Sequence, residues 1–557
     1  MNFRKEIEKI LRKEVKLKEY PIEVPKDTRM GDFAFPCFML AKEFKKSPLE
    51  ISRELTKKLK PTKYIEKIIA SGPYVNFFIS KEILIENTLK KIFKEKEKYG
   101  DQNIQNGNIV IEYPAPNTNK PLHLGHVRNM VLGYSVSKLL RKIGNKVHEV
   151  NLVNDRGIHI CKSMLAYQKW GDKAKPNIKS DHFVGKYYVK YNTKLKKNPQ
   201  LEAEAQDMLN DWERGDKKTL ALWKKMNKWA LKGFDETFKK FNLKFEQVYF
   251  ESDIYRKGKL IVKKGFDKGV FEKNEEGAVF ANLEQYKMPN KYLLRSDGTS
   301  IYITQDIYLA QAKIKDFKAD SSIYVVGSEQ NLHFRQLFKI MEMLGINANY
   351  HHLTYGMVYL PEGKMKSREG TVVDADEIVA EMEKLASREI KKRHKLKEKD
   401  LIKRSNQIGM GALRFFMLKN DPTRDMTYDP KQSISFEGET GPYVQYAHAR
   451  CCSILDKYDK KVNNNVEYAL LKGDNEIITN LSQFLEVIEK AAVHHKPSTI
   501  AHYLIELAQK FNEFYHHNPV ISEDIKLTEA RIMLIDCVRQ VLENGLLLLG
   551  IESPSQM

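Results

Sequence analysis

The stretch from Asn108 to Gly144 constrains this chain more than any other, because a strand, a proline-broken loop and a helix follow one another within it. NIVIEY (108–113) is rich in β-branched residues and reads as a buried strand. PAPNTNKP (114–121) holds three prolines and can continue neither a strand nor a helix. HLGHVRNMVLGYSVSKLLRKIG then places apolar residues at helical spacing and stops at Gly144, a suitable C-terminal cap. A helix that starts straight after a strand and a tight loop favours anions, since unpaired N–H groups and the positive end of the helix dipole converge there. His123 and His126 are three apart, on one face of the first turn. Gly125 between them has no side chain to block a flat ring or a phosphate. The competing reading of HxxH is a metal pair, but no further His or Cys cluster stands nearby in sequence to complete a zinc site.

VHEVNLV (147–153) reads as a second strand, so the unit is strand, loop, helix, strand. Parallel strands joined by one helix imply a right-handed crossover and a doubly wound sheet. Ligands of such sheets sit at the C-terminal ends of the strands. Here those ends carry Asn117 to His126 and NDRG (154–157). SSIYVVG (321–327) and LTYGMVYL (353–360) read as further strands, the first ending in SEQNLHF and the second in EGKMKSREGT. Between the two halves, residues from about 172 to 290 are charged and mostly helical, as in an insertion, and GTSIYIT (298–304) follows a turn at SDGT. From about 405 only helices are expected, with apolar residues three and four apart, as in a bundle. Residues 1 to about 100 read as a small α/β unit: two helical stretches broken at KSP (46–48), with Ser47 as N-cap, then a strand in ASGPYVNFFIS (70–80). The expected fold class is α/β with three domains, at 1–100, 101–404 (insertion about 172–290) and 405–557.

Charge divides along the same lines. The net charge is +21, of which +9 lies in residues 1–100, +17 in the middle and −5 in residues 405–557. A basic front and middle suit a polyanion such as nucleic acid, though a Lys-rich composition with solvated helices would look alike. The longest apolar run near the end, LLLLGI, is far too short to cross a membrane, and no secretory signal is visible. The five cysteines lack metal spacing and read as reduced thiols of a cytoplasmic protein.

The order of these pieces resembles a class I aminoacyl-tRNA synthetase, and within that class the arginyl-tRNA synthetase family. HLGH is similar to the first class signature, and KMKSR (364–368) resembles the second, KMSKS. GALRFFMLKNDPTRDMTYD with FEGETGPYVQYAHAR resembles the helical anticodon-binding domain of that family, and GDFAFP…LAKEF…GPYVNFF its additional N-terminal tRNA-binding domain. The resemblance implies a class I Rossmann-like nucleotide-binding catalytic domain and a two-step reaction. Arginine and ATP form an adenylate, and the arginyl group then passes to the 3′ end of tRNA(Arg). It implies ATP as substrate with Mg²⁺, tRNA(Arg) and L-arginine as partners, no metal held by the protein itself, and no membrane. A monomer is expected.

The resemblance also assigns roles. His123 and His126 would donate hydrogen bonds to phosphate oxygens as charge spreads over them, with Gly125, Lys364, Met365 and Ser367 also on ATP. In the class signature a second lysine occupies the position of Ser367, so one cation is missing here. Lys120, just before HLGH, is placed to supply it. Glu149 and Asp306 would take the guanidinium, Asn117, Asn154 and Gln330 would orient the amino and carboxylate groups, and Tyr302 would pack on the side chain. For tRNA, the acidic C-terminal domain points to aromatic stacking on anticodon bases, with Tyr428, Phe436, Tyr443, Tyr446 and the terminal Met557 as candidates. Asn76 and Phe77 would touch the outer corner of the tRNA.

Overall fold

The computed structural model describes residues 3–25, 27–361 and 373–557. The strands in chain order are β1 (Phe33–Pro36), β2 (Ile65–Ser71), β3 (Tyr74–Ile79), β4 (Asn108–Glu112), β5 (Lys146–Val153), β6 (Gln247–Phe250), β7 (Glu272–Lys273), β8 (Val279–Ala281), β9 (Lys291–Leu294), β10 (Ser321–Gly327), β11 (Asn349–Tyr355), β12 (Val358–Tyr359) and β13 (Met426–Thr427). Among the described residues the central sheet is fully parallel, in the order β11-β10-β4-β5-β6. The order reverses between β4 and β10, which opens a crevice at their C-terminal ends.

The alternation within β4 explains why both faces of this sheet are covered. Ile109 and Ile111 pack with the helix Leu124–Lys142, whereas Val110 packs on the other side with Val150, Leu309 and Ala319. The helix Leu124–Lys142 is buried nearly all round, because its far face meets the helical C-terminal region. Ser135 there donates to the Leu548 carbonyl at 2.8 Å. Further out, Tyr99 stacks on Phe484, and Phe484 stacks on Tyr503. The nucleotide domain and the C-terminal helices therefore share one core.

The N-terminal unit has its own core, built on a three-stranded sheet of order β1-β3-β2. Ser47 caps the helix Pro48–Lys58 as expected, accepting from the Glu50 amide while Glu50 reaches back to Ser47. The structure differs from the sequence reading at three places. The inserted region contains β6, which joins the main sheet, and a small antiparallel sheet of β7, β8 and β9. The expected strand 353–360 breaks at Gly356 and Met357, and its second part, β12, pairs with β13. The expected strand 70–80 is instead a hairpin, β2 and β3, turning at Gly72 and Pro73.

Candidate active site

The loop after β4 turns the chain onto the helix that begins with HLGH. Its backbone is held by the loop after β5. Asn154 donates its amide to the Pro116 carbonyl at 2.9 Å and its side chain to the Ala115 carbonyl at 3.2 Å; Thr118 donates to the Asn154 carbonyl at 3.1 Å. Asn117 and Asn154 thus sit in a parallel bridge, side by side at the mouth of the crevice. Both were expected there.

His123 is the N-cap of the helix, with extended backbone. Its Nδ1 accepts from the Gly125 amide at 3.2 Å, and the His126 Nδ1 accepts from the His123 amide at 3.1 Å. The rings lie 4.0 Å apart, centre to centre. An Nδ1 that accepts from an amide carries no proton, so each neutral ring holds its proton on Nε2. Burial, reinforced by the neighbouring Lys120 charge, pushes His123 down to about 3 and His126 well below the ordinary imidazole range. The two rings are therefore neutral donors, not cations, across the whole physiological range. Burial also lowers Lys120. Pro121, which follows it, rests against the helix Ser180–Leu195, where a Cβ on Gly185 would come within 2.6 Å of its ring. That contact fixes the direction of the loop carrying Lys120.

Lys364, Met365 and Ser367 lie outside the described residues. The chain that follows them is tied to the helix start. Leu124 donates to the Val373 carbonyl at 3.1 Å and Ala375 to the Leu122 carbonyl at 3.0 Å, and His123 and Asp374 form a bridge.

The opposite wall of the crevice carries carboxylates. Asp306 lies one turn into the helix Tyr302–Phe317, and its Oδ2 is 2.8 Å from His333 Nε2. Glu251 follows β6 directly and is 4% exposed. Its contacts are loose: Gln305 Nε2 at 3.3 Å and Arg156 at 3.8 Å. Burial raises its carboxyl to about 7 against the partial relief of Arg156, with the nearby charges of Asp155 and Asp306 adding to the rise. A buried, underpaired carboxylate facing a second one suits a cation with several N–H donors. Glu251 is the functional candidate that sequence reasoning missed. The available signal was an acid placed directly after the short aromatic strand QVYF. Tyr302 opens its helix 68% exposed, and Gln330 is exposed at the turn between β10 and the helix Asn331–Met343. These two residues, with Asp306, Asn117 and Asn154, come from loops at the C-terminal ends of the strands or from the segment that follows β9.

Glu149 is a correction. It lies in mid-strand opposite Ile111, and its two oxygens are taken by the Arg141 guanidinium and the Tyr113 hydroxyl. It already holds a guanidinium, that of its own chain, and is not free for another.

Four of the tRNA candidates are corrected for a common reason, burial. Phe77 is fully buried in the N-terminal core and Asn76 is 2% exposed beneath the Gly31 turn. Tyr428 is 1% exposed and packs edge-on to Phe416; the Met557 side chain is buried, with its carbonyl accepting from His394. The other three remain at a surface. Phe436 lies under the Arg393 guanidinium, and Tyr443, Asn512, Arg450 and Tyr446 form one hydrogen-bonded chain. That chain borders a cavity of about 610 Å³ lined also by Tyr515, Lys457 and His516.

Comparison with known proteins converges on one family. Residues 88–429 match the family model described as tRNA synthetases class I (R), catalytic domain; residues 1–79 match the arginyl-tRNA synthetase N-terminal domain, and residues 444–557 the DALR anticodon-binding domain. A curated arginine–tRNA ligase of Treponema denticola is 45% identical over 546 residues, which cover 94% of this chain and 92% of the relative. That of Borrelia duttonii is 43% identical over 549 residues, covering 95% and 93%. The solved arginyl-tRNA synthetase of Thermus thermophilus superposes with a TM-score of 0.85 at 26% identity, covering 100% of this chain and 99% of that one. Three family domains in chain order, full-length relatives and the HLGH crevice agree: this chain belongs to the class I arginyl-tRNA synthetases.

Proposed function

We propose that this chain joins L-arginine to tRNA(Arg) through an arginyl-adenylate made at the crevice between β4 and β10. The observation that carries the reading is the pairing of two unlike walls. One wall offers neutral Nε2–H donors and a lysine at a helix start. The other offers Glu251 and Asp306.

ATP lies along the HLGH wall. His123 and His126 donate to phosphate oxygens as the arginine carboxylate attacks the α-phosphorus and pyrophosphate leaves. Neutral donors suit this step, because they need lose no proton and pay no reorganisation as charge develops. Lys120 and Lys364 neutralise the leaving pyrophosphate from two sides. Arginine lies with its guanidinium between Glu251 and Asp306, Tyr302 covering its stem, and Asn117, Asn154 and Gln330 orienting the α-amino and carboxylate groups. Mg²⁺ comes with ATP and is held through its phosphates. The acid–histidine cluster found among the described residues, Asp181, His182 and Asp376, is already neutralised by Lys179 and Lys240 at 2.7–2.9 Å and does not fit a divalent cation.

The anticodon reaches the cavity beside Arg450, Tyr446 and Tyr515, where bases stack on half-exposed rings. In the N-terminal domain, the exposed Phe38, edge-on to Tyr74 at 5.7 Å, takes the contact that Asn76 and Phe77 cannot make. The enzyme acts as a cytoplasmic monomer. The test is charging of tRNA(Arg) with arginine against citrulline, which has the same shape without the charge. Removing the charge leaves the buried Glu251 carboxylate without its partner, beside a half-buried Asp306, so discrimination of roughly 10⁴-fold in kcat/KM is expected. Equal charging of both amino acids would refute the guanidinium site.

A further inference from the structure

Arg128 lies in the second turn of the HLGH helix and is 1% exposed. Among the described residues no carboxylate pairs with it, and Asp425 and Asp421 act on it only at longer range. Instead its guanidinium donates to four backbone carbonyls: one nitrogen to Gly356 at 2.6 Å and Met357 at 3.3 Å, the other to Pro422 at 2.9 Å and Arg424 at 2.7 Å. A buried cation held by carbonyls, with the Tyr355 ring 5.9 Å away, is a costly way to fill a core, and an apolar residue of similar size would often serve stability as well. What a planar fork adds is geometry, since its two arms hold two backbone segments in one register.

Those segments have a particular place in the chain. Residues 356–359 lead into the second signature, and residues 421–428 lead from the helix Glu398–Leu418 into the anticodon-binding region. They zip together through Gly356 to Pro422, Met426 to Met357 and Tyr428 to Tyr359, each 2.9 Å. The approach at Gly356 is so close that a Cβ would stand 2.5 Å from the Arg424 backbone. Asp425, at the surface, accepts from the Met357 amide at 2.7 Å and from the Tyr359 hydroxyl at 3.4 Å. On the far side of the second signature, Val373 and Ala375 bond to Leu124 and Leu122. Both flanks of the signature are therefore tied to one helix, the entry flank through Arg128 and the exit flank through the helix start.

We propose that Arg128 is a positioning residue for adenylate formation: it sets where the chain carrying Lys364 departs, relative to His123 and His126. The inference rests on the reading that the second signature serves ATP. The pairing of flanks makes the requirement specific to the ATP side, because Glu251 and Asp306 belong to other elements.

The experiment is pyrophosphate exchange with tRNA present, rates normalised to titrated active sites, for Arg128→Lys, Asp425→Ala and Lys364→Ala. Lysine keeps the charge and loses the fork. Arg128→Lys should raise KM for ATP or lower kcat by about tenfold or more, as displacement of a reacting group does, and leave KM for arginine within about twofold. Asp425→Ala is at the surface, folds regardless of what becomes of Arg128→Lys, and should shift the same constants in the same direction by a few-fold. A purely structural Arg128 would instead lower the thermal midpoint and the active-site titre while each remaining site kept its ATP constants, and that result in both variants would overturn the proposal. Normal exchange by Lys364→Ala would overturn the reading beneath it; impaired Lys364→Ala with normal Arg128→Lys and Asp425→Ala would overturn the positioning role alone.

Discussion

Lys120 and Glu251 show how far single residues carry the mechanism. Ser367 stands where the class signature has a lysine, and Lys120 lies within electrostatic reach of both histidines. If it replaces the missing cation, Lys120→Ala should damage single-turnover adenylate formation about as severely as Lys364→Ala, and adding Ser367→Lys to Lys120→Ala should recover part of the rate. A Lys120→Ala enzyme as fast as wild type would reduce Lys120 to a half-buried loop residue. Glu251 makes a pH prediction. Its carboxyl is raised to about 7 in the free enzyme, so the protein without arginine loses stability as pH climbs from the ordinary carboxyl range through 7. A guanidinium needs the ionised form. KM for arginine should therefore fall as pH rises from 6 to 8, and the thermal shift produced by arginine should grow over the same range. Glu251→Gln should flatten both slopes; slopes that survive in that variant would assign them to another group.

At the scale of elements, the ion pair between Glu112 at the end of β4 and Lys313 on the helix Tyr302–Phe317 fixes one wall of the crevice against the other. The two meet at 2.6 Å, Lys313 is fully buried, and its ammonium lies 3.5 Å from the centre of the Tyr324 ring. Lys313→Met leaves Glu112 buried without its partner and should cost about 3–5 kcal/mol in denaturant unfolding. Glu112→Leu in the same chain should restore most of that. The double variant, stable but without the tie, separates folding from alignment: its KM for arginine should rise although its stability recovers. Elements were legible from sequence where their pattern is local. The β4–loop–helix–β5 unit was, because periodicity and prolines mark every boundary, and so was the Ser47 cap. β6 was not, because four residues after a long helical insertion carry little pattern, and Glu251 was missed with it. Facing was not legible either. Phe77, Tyr428 and Met557 have the residue types that bind RNA, but an aromatic or sulfur side chain serves a core equally well, and only packing decides. Glu149 was misassigned because its partner Arg141 arrives from the preceding helix.

At the scale of the molecule, the HLGH helix is where the nucleotide domain and the C-terminal helices meet. It packs on the central sheet, bonds through Ser135 to the last long helix, and holds the junction to the anticodon-binding region through Arg128. This continuity gives a physical route by which tRNA bound at the C-terminal helices can bias the ATP site, and tRNA should accordingly speed arginine activation. Exchange as fast without tRNA as with it would rule that out. The central claim is that the start of this helix is where the adenylate forms. Pyrophosphate exchange with arginine, ATP and tRNA, compared per active site between wild type and His126→Ala, tests it most directly. The loss of one donor aimed at the developing phosphate charge should lower the rate by about 10²–10³-fold, with tRNA affinity nearly unchanged. A His126→Ala enzyme that exchanges at the wild-type rate would contradict the account.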